Sequence, residues 1–366
     1  MQRSLPPFRA DHVGSLLRSP RLKDARIKHA GGSLPMAELA AIENEEIKKI
    51  IARQEALGLS SITDGEFRRA YWHFDFLAGL DGVRMVEAEG IKFAGVTSKS
   101  EAPFVSGKLG SKSHPQIAHF EFLKANTRRT PKMTIPSPSM LHYRGGRKMI
   151  DKTAYPTMEQ FYSDLGQAYK QVVGQFYAAG CRYLQLDDCS FAYLCDTAQR
   201  KMLADRGDDP DKQADIYAGM INAALEDRPE DLVISTHVCR GNFRSTFIAS
   251  GGYEPIADLL FNKVNVDAYF LEWDSDRAGG FEPLRFLPKH KTVVLGLITS
   301  KTGTIENKDF VKRRIDEATK YVSADQLCLS PQCGFASTEE GNVLAEDEQW
   351  AKLGLVAELA NEVWGR

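Results

Sequence analysis

The sequence predicts an α/β chain folded as a single (β/α)8 barrel, with a hairpin inserted after the second strand. Three observations carry this. Eight short apolar runs, most followed by a helical pattern, alternate along the chain. Such alternation gives parallel strands joined by right-handed crossovers. No Pro/Ser/Gly-rich linker divides the 366 residues, so residues 1–366 read as one domain. Finally, the chemistry-bearing residues gather just after the apolar runs, where a barrel enzyme keeps its site. The alternative is an open doubly wound sheet. It would carry a Gly-rich phosphate turn after its first strand, and Val13-Gly14-Ser15-Leu16-Leu17-Arg18 is not G-x-G-x-x-G.

The elements follow in order. Phe8 to Val13 is the first strand, stopped by Gly14-Ser15, and a Pro-started helix begins near Ser19-Pro20. From Pro35 to Leu57, Leu39, Ile42, Ile47, Ile50 and Ile51 form an apolar side amid Glu and Lys, and Gly58 ends the helix. Ser61-Ile62-Thr63 is the second strand and runs into Asp64-Gly65-Glu66-Phe67. Residues 83–112 scatter Val83, Met85, Ile91, Phe93, Val96, Phe104 and Val105 among Gly, Ser and Lys, which is the pattern of a hairpin. Lys132 to Ile135 is the third strand, and a helix spans roughly 158–179. Tyr183 to Leu186 is the fourth strand, reaching Asp187-Asp188 before a helix near 212–226. The fifth strand opens at Val233-Ile234 and the sixth runs from Val266 to Leu271. Thr292 to Leu295 and Gln326 to Leu329 complete the eight, with helices near 306–322 and 344–363 behind them.

Composition bounds the partners. The chain is 43% hydrophobic and 26% charged, with a net charge of −2, so nucleic acid is not an expected partner. No apolar run approaches the ~20 residues that span a bilayer, and the N-terminus lacks the apolar core of a signal peptide. The six cysteines make no dense framework and read as reduced thiols of a cytoplasmic protein, some free to bind metal. Residues 84–132 hold nine Lys/Arg against four Glu, a surplus that either attracts an anionic substrate or is a solvated loop surface. A homo-oligomer stays open.

The run Val233-Ile234-Ser235-Thr236-His237-Val238-Cys239-Arg240 organises the rest. Alternate side chains on a strand share a face, so His237 and Cys239 can reach one point. Imidazole nitrogen and thiolate sulfur together suit Zn²⁺ better than hard cations. The bland alternative is a core cysteine beside a hydrogen-bonded histidine. The other strand ends shift the balance, because they carry Ser15, Asp64, Glu66, Ser137, Ser139, Asp187, Asp188, Glu272, Lys301 and Cys333. His237, Cys239 and Cys333 make a His/Cys/Cys set, and three protein ligands with a displaceable fourth position describe catalytic zinc. Glu272 is either that fourth ligand or a rim carboxylate paired with Arg277 or Arg240. Cys328 lies inside an apolar strand, and Cys189 and Cys195 have weaker claims to a metal.

Six motifs in this order, His12-Val13-Gly14-Ser15, Asp64-Gly65-Glu66-Phe67, Gln185-Leu186-Asp187, Thr236-His237-Val238-Cys239, Glu272 and Pro331-Gln332-Cys333-Gly334, resemble those of a known family. The chain is similar to the catalytic TIM barrel of cobalamin-independent methionine synthase, and especially to its short single-barrel relatives. The resemblance implies zinc on His237, Cys239, Glu272 and Cys333. It also implies that Ser15, Glu66 and Asp187 hold the amino-acid part of homocysteine, with Glu272 and Asp187 as catalytic residues. The activity implied is an S-methyltransferase of methionine biosynthesis, taking its methyl from a methyl-folate or a corrinoid.

The chain departs from the long form in three places. It has no second, N-terminal barrel to hold a polyglutamylated folate. Leu186-Asp187-Asp188-Cys189 stands where the family has I-D-E-P, and Gly296-Leu297-Ile298-Thr299-Ser300-Lys301 holds no proton-relaying histidine. Thiol activation therefore carries over better than the methyl donor. Two other readings compete. A zinc thiol transferase that opens epoxides with coenzyme M would need cations for a sulfonate rather than Glu66 and Asp187. A non-catalytic metal scaffold would not gather carboxylates, thiols and histidine on one face at a cost in stability.

Overall fold

A computed structural model of the chain describes residues 3–90, 92–93, 96–97 and 101–365. In chain order its strands are β1 (Ser61–Ile62), β2 (Asp81–Glu87), β3 (Lys92–Phe93), β4 (Val96–Thr97), β5 (Glu101–Gly110), β6 (Thr130–Pro131), β7 (Met133–Pro136), β8 (Tyr183–Asp188), β9 (Val233–Val238), β10 (Ala268–Glu272), β11 (Thr292–Ile298) and β12 (Leu327–Pro331). Six of them form one parallel sheet in the order β12-β11-β10-β9-β8-β7. Helices at Met158–Ala178, Gln213–Ala224, Ala257–Lys263, Lys308–Ala318 and Glu346–Trp364 separate or follow these strands, as crossovers between parallel neighbours require.

Register shows which face is the inside. Asp187, His237, Phe270, Val294 and Cys328 are partners in one row across five strands. Val13, Phe270, Val294 and Cys328 pack together as a small separate cluster, whereas their neighbours Tyr269, Leu271, Val293, Leu295, Leu327 and Leu329 pack with the helices. Period-2 alternation on strands covered on both sides thus gives an inner layer and an outer core. The inner layer also holds an ion pair. Lys132 Nζ lies 3.2 Å from Asp11 Oδ1, with both side chains fully buried, and 4.0 Å from the centre of the Phe270 ring.

The sheet edges run on into shorter pieces. β7 continues from β6, which pairs with β1, and Lys132 N donates to Ile62 O at 2.8 Å. At the other edge Asp11 N donates to Leu329 O at 3.0 Å, and Leu329 N to Arg9 O at 2.9 Å. The first strand is therefore present as a single bridge, Ala10 with Leu329, rather than as a ladder over residues 8–13. The cause is local. Pro6 and Pro7 bring no N–H, and Asp11 draws Phe8 N to its carboxylate at 3.2 Å and His12 N at 2.8 Å. Between this segment and β1 the link is Ser61 Oγ to Asp11 Oδ1 at 2.8 Å and Leu16 N to Gly65 O at 3.0 Å.

The insertion after the second strand is a hairpin, β2 antiparallel to β5, laid against the helix Met158–Ala178. Tyr155 Oη accepts Leu109 N at 2.7 Å and Gln171 Oε1 accepts Ser111 N at 2.8 Å. Ile91 and Lys99 of that stretch lie outside the described residues, as do Met1 and Gln2. Helices at Pro20–Ala30 and Met36–Ala56 follow the first segment, Pro20 standing at the helix start and Ser19 Oγ accepting Leu22 N at 3.2 Å. No helix among the described residues is long and apolar enough to cross a membrane.

Candidate active site

At the C-terminal ends of the strands is an open cleft of about 500 Å³. Ser15, Glu66, Asp187, His237, Cys239 and Cys333 all line it. Glu272 does not. It is fully buried behind the cluster, at the end of β10.

The donor cluster follows from strand geometry. His237 is the next-to-last residue of β9 and faces inward, and Cys239 lies two residues on, just past the strand. β10 lies beside β9 and delivers Glu272, and Cys333 follows β12. One ligand atom from each of these four buried residues lies within 4.8 Å of all the others, and the two sulfurs are 3.5 Å apart. A tetrahedral zinc with bonds of roughly 2.0–2.3 Å needs its ligands a little under 4 Å from one another. The set therefore fits such an ion with small adjustments. Its electrostatics agree. Hydrogen bonding to Cys189, with burial, holds the Cys239 thiol well above its ordinary range, and Cys239 and burial do the same to Cys333. Two buried thiols that resist ionisation on their own are ionised by a bound cation.

Glu272 is held as a carboxylate. Burial works to raise its pKa, but Lys301, Arg277, His237 and the Arg240 amide together lower it. Arg240 N donates to Oε1 at 2.9 Å and Arg277 Nη2 to Oε2 at 3.2 Å. Both sequence readings of Glu272 thus hold geometrically, since it clusters with the donors and also pairs with Arg277. His237 Nδ1 lies 3.2 Å from Asp187 Oδ1, and Gln185 Nε2 donates to the same oxygen at 2.7 Å. Burial disfavours the imidazolium, yet Asp187 and Cys333 push the His237 pKa up to about 10.

Glu66 sits in a strained turn. Its φ is +58°, in the left-handed region, and Asp64 Oδ1 accepts Glu66 N at 2.9 Å to hold it there. Thr134 Oγ1 donates to Oε1 at 2.8 Å and Arg69 Nη1 is 3.4 Å from the same oxygen. Oε2 is buried and has no partner. Burial, with Asp187 nearby, raises the Glu66 pKa to about 7 against the pull of Arg69 and Arg18. Ser15 packs on the Cys333 turn. Its carbonyl accepts Phe335 N at 3.0 Å, and a Cβ at Gly334 would stand 1.9 Å from Ser15 Oγ, so a larger residue there would displace the hydroxyl.

Other strand-end residues do not line the cleft. Asp64 builds the Glu66 turn, and Asp188 accepts from Ser139 and Ser190 hydroxyls. Ser137, Ser139 and Lys301 also lie away from it. The sequence reading missed Tyr71, Trp72, Arg144 and Tyr193, which line the cleft from loops and short helices. The aromatic run Tyr71-Trp72-His73-Phe74 was the one available signal.

Comparison with known proteins agrees with this geometry. The profile of the family "Cobalamin-independent synthase, Catalytic domain" matches residues 8–355. The chain belongs to that family. YxjH of Bacillus subtilis, whose function is uncharacterised, is 53% identical over 98% of this chain and 95% of its own. A 5-methyltetrahydropteroyltriglutamate–homocysteine methyltransferase of Bacillus velezensis is 23% identical over 93% of this chain, which spans only 42% of that longer protein. Among solved structures, a Listeria monocytogenes protein of the vitamin-B12-independent methionine synthase type superposes with a TM-score of 0.80 at 42% identity, covering 100% of both chains. A B12-independent methionine synthase from Shewanella superposes with a TM-score of 0.73 over 97% of each chain at 20% identity, and so speaks for the barrel fold alone.

Proposed function

We propose that residues 1–366 act as one catalytic barrel that methylates the thiol of homocysteine to give methionine. His237, Cys239, Glu272 and Cys333 would hold zinc. The observation that carries this reading is the unpartnered, buried Oε2 of Glu66 in the cleft that also holds the His/Cys/Cys donors. An α-ammonium supplies the missing hydrogen bond and a counter-charge for Glu66 and Asp187, while the Ser15 hydroxyl suits the α-carboxylate. A homocysteine held at that end points its sulfur toward the donor cluster. The Shewanella protein was solved in complex with selenomethionine, the selenium analogue of the product proposed here.

Zinc bound at these donors lowers the pKa of an incoming thiol, so that sulfur reacts as thiolate near neutral pH. The chain's own residues do the rest. Asp187 fixes the His237 ring through Nδ1, and Glu66 and Asp187 clamp the ammonium. Arg277, which already donates to Glu272 Oε2, would hold that carboxylate if it left a bound metal. In the transfer the sulfur pair forms the new S–CH3 bond. The donor–CH3 bond breaks, and its pair leaves with the donor. The donor is a methyl-folate or a methyl-corrinoid. The test is to incubate zinc-loaded protein with homocysteine and, separately, methyl-folate, methyl-corrinoid and a simple methyl donor. Methionine is expected with at least one. Its absence with all three overturns the reading.

A further inference from the structure

Behind the donor cluster stands an ammonium with no partner. Lys301 follows β11, five residues beyond Gly296, which is the register partner of Glu272 on β10. Its loop is tied to the Cys333 turn. Ser300 N donates to Gln332 Oε1, Ser300 Oγ to Gly334 O at 3.0 Å, and Asn342 Nδ2 to Ser300 O at 2.8 Å. Lys301 N in turn donates to Thr299 Oγ1 at 3.3 Å. The backbone is thus held in place, yet the Lys301 Nζ it carries is shielded from solvent and has no hydrogen-bond partner. An ammonium taken out of water without a partner is costly. A functional site bears that cost where the partner arrives during the working cycle.

Position identifies the partner. Lys301 does not line the cleft, so a substrate held there is not its counter-ion. Glu306, which accepts Thr299 N at 2.9 Å, is answered by Lys352 at 2.9 Å. Glu272 also lies outside the cleft, and among the charges acting on it that of Lys301 is the largest. Glu272 sits among the donors, with Oε1 on Arg240 N and Oε2 on Arg277. Arg277 is divided, because the same Nη2 lies 3.1 Å from Asp274 Oδ1. A carboxylate leaving the donor set thus meets one guanidinium already shared and one ammonium still free. We propose that Lys301 is a positioning residue for the thiol: it joins Arg277 in taking the Glu272 carboxylate when substrate sulfur enters the donor set. Lys301 thereby sets how tightly the thiol binds, as distinct from the amino-acid end that carries it. The exchange brings one anion in as thiolate and releases one as carboxylate, and the thiol proton leaves to solvent. The inference rests on the thiol-activating reading above and goes beyond it to the residue that makes the displacement favourable.

The experiment titrates zinc-loaded full-length protein with homocysteine and with norleucine, which has the same amino-acid end and no sulfur, and follows the zinc edge by X-ray absorption. Wild type should exchange an oxygen or nitrogen neighbour for sulfur. Lys301→Met should bind homocysteine ~10-fold or more weakly, as loss of a charge-assisted contact does, and reach the same exchange only at higher concentration. Lys301→Arg should recover part of the loss. Zinc content and norleucine affinity should be unchanged, a split that a merely structural role would not produce. With Glu272→Gln already in place, Lys301→Met should shift homocysteine affinity less than about 2-fold, since no carboxylate charge is left to receive. Three results overturn the proposal: equal homocysteine affinity in wild type and Lys301→Met, norleucine affinity falling as far as homocysteine affinity, or a Lys301 effect undiminished by Glu272→Gln. Sulfur exchange indifferent to Lys301 brings down this inference alone. A wild type whose zinc gains no sulfur neighbour from homocysteine brings down the thiol-activating reading, and the role of Lys301 with it.

Discussion

The pH dependence of amino-acid binding tests the acidic pocket most directly. Glu66 is buried, its Oε2 is unpartnered, and its pKa stands at about 7 instead of 4.5. A raised pKa means that the folded chain prefers the protonated side chain. That preference stabilises the fold fully below the unfolded value and is lost as pH rises through 7, a difference of ~3 kcal/mol. An α-ammonium needs the carboxylate form, so binding runs the other way. At about pH 5.5 only ~3% of Glu66 is ionised, and affinity for an ammonium ligand should be ~30-fold below its plateau above pH 8. Methionine is the ligand of choice, because it has no thiol to titrate in that range. Calorimetric titration of the zinc-loaded protein from about pH 5.5 to 8 should show affinity rising ~10-fold per unit and levelling past 7. Glu66→Gln should lower the plateau and flatten the curve while leaving zinc in place. A wild-type affinity independent of pH, or the same slope in Glu66→Gln, would refute the assignment.

Other outcomes follow from the same geometry. His237→Ala, Cys239→Ser and Cys333→Ser should each lose most of the zinc found in purified wild type, by metal analysis after dialysis. Glu272→Gln should keep most of it, and X-ray absorption at the zinc edge of the wild type should show one oxygen or nitrogen neighbour replaced by sulfur when homocysteine is added. Lys132→Met should cost ~3–5 kcal/mol in denaturant unfolding, because it strands the buried Asp11 carboxylate inside the barrel. A loss below ~1 kcal/mol would mean that Ser61, Tyr183 and His12 satisfy Asp11 without it.

What the sequence showed of this fold is what strand periodicity can show. The fourth to eighth strands appear where their apolar runs stand, within a few residues, because β-branched and aromatic residues buried on both faces leave an unbroken signal. The first strand shrank to one bridge, since Asp11 spends its carboxylate on the N–H groups of Phe8 and His12. Helices at Gln116–Asn126, Thr197–Asp205 and Ala257–Lys263 were not anticipated. The second had a legible start, with Asp196 accepting Ala198 N at 2.9 Å and Gln199 N at 3.0 Å. The first and third start without a side-chain cap.

The two ends of the cleft differ in the same way. Asp187, His237, Cys239 and Glu272 lie on or just beyond the adjacent strands β8, β9 and β10, where register ties one residue to the next, and Cys333 follows β12 two strands away. Asp187 partners His237, His237 partners Phe270, and Glu272 lies two residues further along the same face. Pattern reading recovers that end because a period of two is enough to aim each side chain. Arg144, Tyr71, Trp72 and Tyr193 sit on short helices and loops, where no period relates residue number to direction. Arg144 is aimed instead by one hydrogen bond to His73, itself fixed by ring packing that only the folded chain displays. The donor end is thus built into the sheet, whereas the opposite wall rests on short helices and loops outside it.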